Sequence, residues 1–191
     1  MFPLVVDLRN RRVVVIGAGR VSAQKVSQLL AAGAHVTVIT QEVLVPVSSE
    51  IQSLVLRPYE YGDLEGAFLA VSATGKKEVD DRIVLEAGER NILLNVVDDA
   101  ARSNFFFTAV HRDGDVVVSV STEGASPALA QWVRDTVATA LPKNLATVAQ
   151  QLRAERHALR SSGQSTENLT WMARIEELIS DGDALTMPVK K

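Results

Sequence analysis

The chain has 191 residues, 47% of them hydrophobic and 23% charged, with a formal net charge of −3. That composition fits a globular protein with a real core and gives no overall attraction to nucleic acid or to an anionic membrane. There is no cysteine, which excludes disulfides, thiol nucleophiles and cysteine-held zinc. His35, His111 and His157 lie far apart without ligand spacing, so no resident metal is expected. No apolar run is long enough to span a bilayer and no signal-peptide pattern opens the chain, so a cytoplasmic protein is expected.

The first predicted strand is Val13–Ile16, four apolar residues that run into Gly17-Ala18-Gly19-Arg20-Val21-Ser22. A helix follows, with Val21, Val26, Leu29 and Leu30 as its apolar stripe and Gly33 placed to stop it. Strand, Gly-x-Gly-x-x-small and helix in that order open a dinucleotide-binding βαβ unit. One glycine makes the turn, the next lets the backbone approach a pyrophosphate, and the first N–H groups of the helix face that anion. A tight β-to-α turn needs glycine even without a ligand, so the motif alone leaves both readings open.

His35–Ile39 is the second strand, followed by a short helix at Ser48–Gln52 and a third strand, Leu54–Leu56, that ends before Pro58. Thr40 and Glu42 close the second strand. Glu42 falls near the position where an acidic residue holds a ribose, roughly 20 residues past the glycines, or it is a solvated loop residue. No Arg or Lys follows closely to meet a 2′-phosphate, which favours NAD over NADP. Phe68–Ser72 is a fourth strand leading to Ala73-Thr74, suited to a nicotinamide ribose or to a helix cap. A helix from about Glu78 to Arg90 leads to a fifth strand, Ile92–Val97, which ends on Asp98-Asp99. Either carboxylate could face a substrate as acid or base, or one could cap a turn while the other is solvated.

After Asp98 the character changes. Phe105-Phe106-Phe107 and Val116–Val120 are predicted strands with a turn at His111–Asp115. Ser126-Pro127 opens a helix that runs to about Leu141-Pro142. Ser121–Pro127 is hydroxyl-rich and could bind a carboxylate or phosphate, beyond its capping role. Helical, charged sequence follows, broken at Ser161–Ser165, and Leu169, Met172, Ile175 and Leu178 mark a last amphipathic helix. The fold class predicted is α/β: a Rossmann-type parallel sheet, then a mixed segment and a small helical C-terminal domain.

Phe2–Leu8, Gly17–Lys25, Asn95–Asp98 and Ser121–Ala130 occur in this order, and with them Met1 to about Arg156 resembles the precorrin-2 dehydrogenase family, which also forms the N-terminal part of siroheme synthase. The resemblance implies NAD-dependent oxidation of precorrin-2 to sirohydrochlorin, with Fe²⁺ inserted as a second substrate by some members. It implies an NAD-binding domain over 1–110, a dimerisation segment over 111–141, a helical domain over 142–191, and an intertwined homodimer. Asp98 matches the key aspartate. Gly17, Gly19, Arg20, Val21, Ser22, Thr40, Glu42, Ala73 and Thr74 fall to the cofactor, and Asn95, Thr122 and Ser126 to the tetrapyrrole. Three positions depart from the family pattern: Glu123 replaces a glycine, Thr108 a proline and Asp80 an asparagine. Glu123 brings a carboxylate near the docking place of a substrate with many carboxylates of its own. A non-catalytic NAD(H) sensor and a tetrapyrrole carrier are the rival readings.

Overall fold

The computed structural model describes residues 1–165 and 170–186, and the chain falls into two units, Met1–Phe106 and Phe107–Lys191. Of the predicted apolar stripe at the C-terminus, Leu169 lies outside the described residues.

In the first unit the elements are β1 (Arg12–Ile16), α1 (Arg20–Ala31), β2 (His35–Thr40), β3 (Ser53–Leu56), β4 (Leu69–Ser72), α2 (Lys77–Glu89) and β5 (Leu93–Val96). The five strands are parallel in the order β3-β2-β1-β4-β5. β1 is central and apolar on both faces, Val13, Val14 and Val15 having no exposed surface, as a strand covered on both sides must be. α1 packs over β1 and β2, and α2 over β4 and β5. The core gathers Val14, Ile16, Ile39, Leu64, Ile83 and Leu94. This is the Rossmann-type α/β sheet expected from the sequence.

Three local expectations are corrected. Ser48–Gln52 is a turn, not a helix: the Ser48 hydroxyl accepts the Glu50 N–H at 3.2 Å, a local bond that competes with helical pairing. Phe105–Phe107 is not a strand. The segment leading into it seals the open edge of β5 with side chains, Asn104 Oδ1 accepting the Leu94 N–H at 2.7 Å and Ser103 Oγ the Val96 N–H at 2.9 Å. That satisfies edge donors and blunts the edge without a sixth strand. On α1, Val21 is 44% exposed while Ser22 is buried, because the first turn of the helix stands beyond the sheet and only its inner side packs.

The second unit holds β6 (Ala109–Asp113), β7 (Val116–Val120), α3 (Pro127–Ala140), α4 (Leu145–Ser161) and α5 (Trp171–Thr186). The predicted turn is shorter than expected. β6 runs on to Asp113, and Gly114-Asp115 alone joins it to β7, with Gly114 at φ +56° as a two-residue hairpin requires. α3 packs on the hairpin. Asp113 Oδ2 accepts the Ala146 N–H at the start of α4 (3.1 Å), and Arg174 ties α5 to Glu155 of α4 (2.7 Å). Among the described residues no helix is long and apolar enough to cross a membrane.

Candidate dinucleotide-binding site

In the strand order β3-β2-β1-β4-β5 the chain moves outward from β1 to β3 and then returns to β4 on the other side. The direction reverses between β1 and β4, and ligands of open α/β sheets bind there, outside the carboxyl ends of the strands. Gly17–Gly19 follows β1, Thr40 ends β2, Ala73-Thr74 follows β4 and Asp98 follows β5, so one edge carries all of them.

The two glycines of the turn have different reasons to be glycine. Gly17 stands at φ +107°, and a Cβ there would lie 2.4 Å from the Ala73 carbonyl oxygen. The protein itself requires it. Gly19 has an ordinary extended backbone, φ −94° and ψ −176°, and a Cβ there would meet nothing within 4 Å. No contact inside the chain accounts for Gly19, whereas a phosphate held close to the backbone would. Gly19 is also the N-cap of α1 and supplies no side-chain cap, which leaves the helix N-terminus to an anion. Ser22 does not cap either: it is 1% exposed, and its hydroxyl donates back to the Gly19 carbonyl at 2.8 Å, locking the turn. The residues present therefore fit a dinucleotide. Arg20 is exposed at the first position of α1. Further along the helix, burial pushes the Lys25 ammonium below the ordinary lysine range.

At the end of β2, Thr40 is buried and its hydroxyl donates to the Glu42 carbonyl at 2.6 Å, so its proton is spent on shaping the turn. Glu42 is exposed, two residues past the strand. The fold also brings a cation that linear sequence did not reveal. Lys76, from the loop after β4, donates through Nζ to Gln41 Oε1 at 3.2 Å, across the end of β1. Only the pairing of both β2 and β4 with β1 brings residues 41 and 76 together. Asp80 was legible only as an unusual residue. It proves to be a buried acceptor for the hydroxyls of Ser72 and Thr74, each at 2.6 Å.

The two carboxylates after β5 divide their roles. Asp99 accepts the Arg102 N–H at 3.1 Å and pairs with the Arg102 guanidinium at 3.3 Å. Asp98 sits at φ +61° in the tight turn closed by the Asp99 N–H on the Val96 carbonyl (3.1 Å), and it is exposed. Among the described residues its carboxylate has no hydrogen-bond or ion-pair partner. The left-handed turn thus holds a free carboxylate out at the sheet edge.

The residues assigned to the tetrapyrrole have local partners. Asn95 is buried, and its Nδ2 donates to the Phe105 carbonyl at 3.1 Å. In the second unit, Thr122 Oγ1 donates to the Ser126 carbonyl at 3.0 Å and accepts the Ser126 N–H at 3.1 Å, while Ser126 Oγ accepts the Leu129 N–H at 3.2 Å as the N-cap of α3. Glu123 occupies a left-handed position, φ +52°, where glycine would be unstrained. A cavity of about 490 Å³ runs from the glycine turn, where Gly17, Ala18 and Ser22 line it, along α1 to Val45 and Glu50 of the β2–β3 connection. Among the described residues no three His, Asp or Glu side chains gather as a metal-ligand set.

Known proteins resemble this chain at two levels. Residues 4–109 match the family described as "Putative NAD(P)-binding", and residues 113–140 match "Sirohaem biosynthesis protein central". The siroheme synthase of Mannheimia succiniciproducens is 30% identical over 185 residues, 95% of this chain and 38% of that protein. That of Photobacterium profundum is 35% identical over 159 residues, 80% of this chain and 34% of that protein. The chain therefore spans little more than a third of the curated relatives it matches. Among solved structures, "SirC, precorrin-2 dehydrogenase" superposes with a TM-score of 0.68 at 23% identity, covering 95% of this chain and 88% of that one, which shows the fold. With that fold, a glycine turn shaped for a pyrophosphate and NAD as the expected cofactor, the chain belongs to the NAD(P)-binding family whose model spans its residues 4–109.

Proposed function

We propose that this chain oxidises precorrin-2 to sirohydrochlorin with NAD as the acceptor. The observation that carries the proposal is the free Asp98 carboxylate, which shares one sheet edge with the Gly17–Gly19 turn and Ala73-Thr74 while its neighbour Asp99 is committed to Arg102. The names of the relatives, siroheme synthase, and of the structural neighbour, precorrin-2 dehydrogenase, supply the substrate class.

The reaction removes two electrons and two protons from the macrocycle: precorrin-2 and NAD⁺ give sirohydrochlorin, NADH and one free H⁺. The nicotinamide, when bound, supplies the hydride acceptor. The protein contributes position and a base. Gly17, Gly19 and the start of α1 hold the pyrophosphate, Ala73 and Thr74 the nicotinamide ribose, and Asp98 takes the proton that leaves as hydride departs. Asn95 acts through the backbone of the β5 exit that it anchors, and Thr122 and Ser126 by shaping the loop before α3. Fe²⁺ enters this reading as a second substrate, whose insertion would release two N–H protons, taken one at a time by the same carboxylate and passed on to solvent.

The second unit supports a homodimer. Its sheet has two strands, few for independent stability, and Val110, Leu129 and Trp132 are 42%, 50% and 65% exposed on the hairpin and α3. A second copy would cover them, with 111–141 as the dimerisation segment between the NAD-binding domain (1–110) and the helical domain (142–191). An NAD-coupled biosynthetic step also suits the cytoplasm. The test of the function is anaerobic: with precorrin-2 generated in situ, wild-type protein forms sirohydrochlorin in the presence of NAD, and no conversion with cofactor-bound protein overturns the assignment.

A further inference from the structure

Ser72, Thr74 and Asp80 form a closed unit at the carboxyl end of β4. Both hydroxyls donate to a single oxygen, Asp80 Oδ1, each at 2.6 Å. Ser72 is 1% exposed and Asp80 8%. Asp80 lies in the first turn of α2, its own N–H bonded to the Lys76 carbonyl at 3.0 Å, so the helix fixes where its carboxylate stands. An acid there also meets the favourable end of the helix dipole.

A hydroxyl has one proton to give and two lone pairs to receive. The Thr74 proton goes to Asp80, and one lone pair takes the Lys76 N–H at 3.0 Å. The competing acceptor, the Lys76 carbonyl, is farther away at 3.4 Å. One lone pair of Thr74 is left. We propose that Asp80 is a positioning residue that fixes the polarity of Thr74, so that Thr74 meets the dinucleotide only as an acceptor and selects a ribose hydroxyl that donates to it. This rests on the dinucleotide reading of the sheet edge.

A carboxylate is suited to this task in a way an amide is not. It only accepts, so both neighbouring hydroxyls must point their protons at it. Asp80→Asn keeps the shape but adds a donor, and an amide that turns its NH₂ toward Thr74 frees the threonine proton to point elsewhere. Asp80 therefore acts on the cofactor through Thr74, without touching it.

The experiment is an NADH titration by fluorescence with wild-type protein, Asp80→Asn, Thr74→Val and the double variant, with a thermal melt on each. Wild type binds NADH. Asp80→Asn and Thr74→Val each weaken binding by about 5- to 10-fold, the size of one net hydrogen bond. In the Thr74→Val background Asp80→Asn adds nothing further, since the group it acts through is gone. Wild-type affinity in Asp80→Asn overturns the proposal, and so does a loss that persists undiminished in the Thr74→Val background. Should Asp80→Asn fail to fold, Thr74→Ser and Thr74→Val decide. Serine keeps the hydroxyl and binds about 5- to 10-fold more tightly than valine, whereas equal binding by Thr74→Ser and Thr74→Val refutes the role. If the wild-type protein itself does not take up NADH, the dinucleotide reading fails first and this one with it.

Discussion

The carbonyl oxygen of Ala73 lies 2.4 Å from where a Cβ on Gly17 would stand, so the exits of β1 and β4 touch across the point where the sheet reverses direction. Two residues on, Gly19 faces open space. Neighbouring glycines of one motif thus differ: the fold requires Gly17, and on the proposed reading a bound pyrophosphate requires Gly19.

They should separate experimentally. Gly17→Ala pushes a methyl group into the Ala73 backbone at a positive φ and costs more than about 2 kcal/mol in urea unfolding. Gly19→Asn places a good N-cap residue in an extended backbone position and leaves the melting temperature unchanged or slightly raised. Its side chain fills the pyrophosphate position, so NADH binding is lost while the fold persists.

Asp98 is the second separable residue. Asp98→Asn suits the left-handed φ of +61° and preserves the turn. Turnover of precorrin-2 falls by about 10²- to 10⁴-fold, the usual contribution of a general base. NADH affinity does not change. A variant that retains the wild-type rate removes Asp98 from the chemistry.

The order of elements and the sheet edge were legible in the sequence because they rest on local signals: Val13–Ile16 before two glycines, an apolar run before Asp98, and Ser126-Pro127 opening a helix. What was not legible depends on distant pairing. Lys76 meets Gln41 only because β2 and β4 both flank β1, and Asp80 finds Ser72 and Thr74 only when α2 folds back on β4. Phe105–Phe107 carried strand-forming residues, but Ser103 and Asn104 had already satisfied the edge that a sixth strand would have paired with. Ser48–Gln52 failed as a helix because the Ser48 side chain offered its backbone a competing bond.

Glu123 makes a prediction of the opposite sign. Glu123→Gly removes a side chain from a left-handed position and raises stability by about 1 kcal/mol in thermal or urea unfolding. On the proposed function, with the tetrapyrrole docked beside the loop before α3, removing the carboxylate also lessens repulsion of a polycarboxylate substrate, so KM for precorrin-2 falls several-fold. An unchanged KM would place Glu123 away from the substrate.

Glu86 ties the loop between β3 and β4 to α2 from a buried position. It is fully buried and accepts from the Tyr59 hydroxyl, the Gly62 N–H (3.0 Å), the Leu64 N–H (3.2 Å) and Arg90 Nε (2.8 Å). Glu86→Ala leaves the buried Tyr59 hydroxyl and Leu64 N–H without their acceptor and costs about 2–4 kcal/mol by urea unfolding, about 1–3 kcal/mol for each buried group left unsatisfied. Burial and the bond to Glu86 also push the Tyr59 phenol up, so it stays protonated at any pH at which the protein is handled.

Acid stability has a nearby source. The Arg57 guanidinium, 2.6 Å from Asp63, holds that carboxyl below the usual carboxylate range. A carboxyl depressed in the folded state contributes its stability above the unfolded value of about 4 and loses it as pH falls through the lower folded value. Melting temperatures measured between pH 6 and pH 3 should show Asp63→Asn less stable than wild type at the upper end. Below about pH 4 the two curves should converge.

The central claim is that this sheet edge couples hydride removal from a tetrapyrrole to NAD. Its most direct measurement follows the visible spectrum and NADH absorbance together, under anaerobic conditions, with precorrin-2 made in situ and purified protein added. The account predicts sirohydrochlorin and NADH appearing in equal amounts, with neither forming when NAD is left out. Sirohydrochlorin formed without matching NADH, or NADH-binding protein that leaves precorrin-2 unchanged, would contradict it.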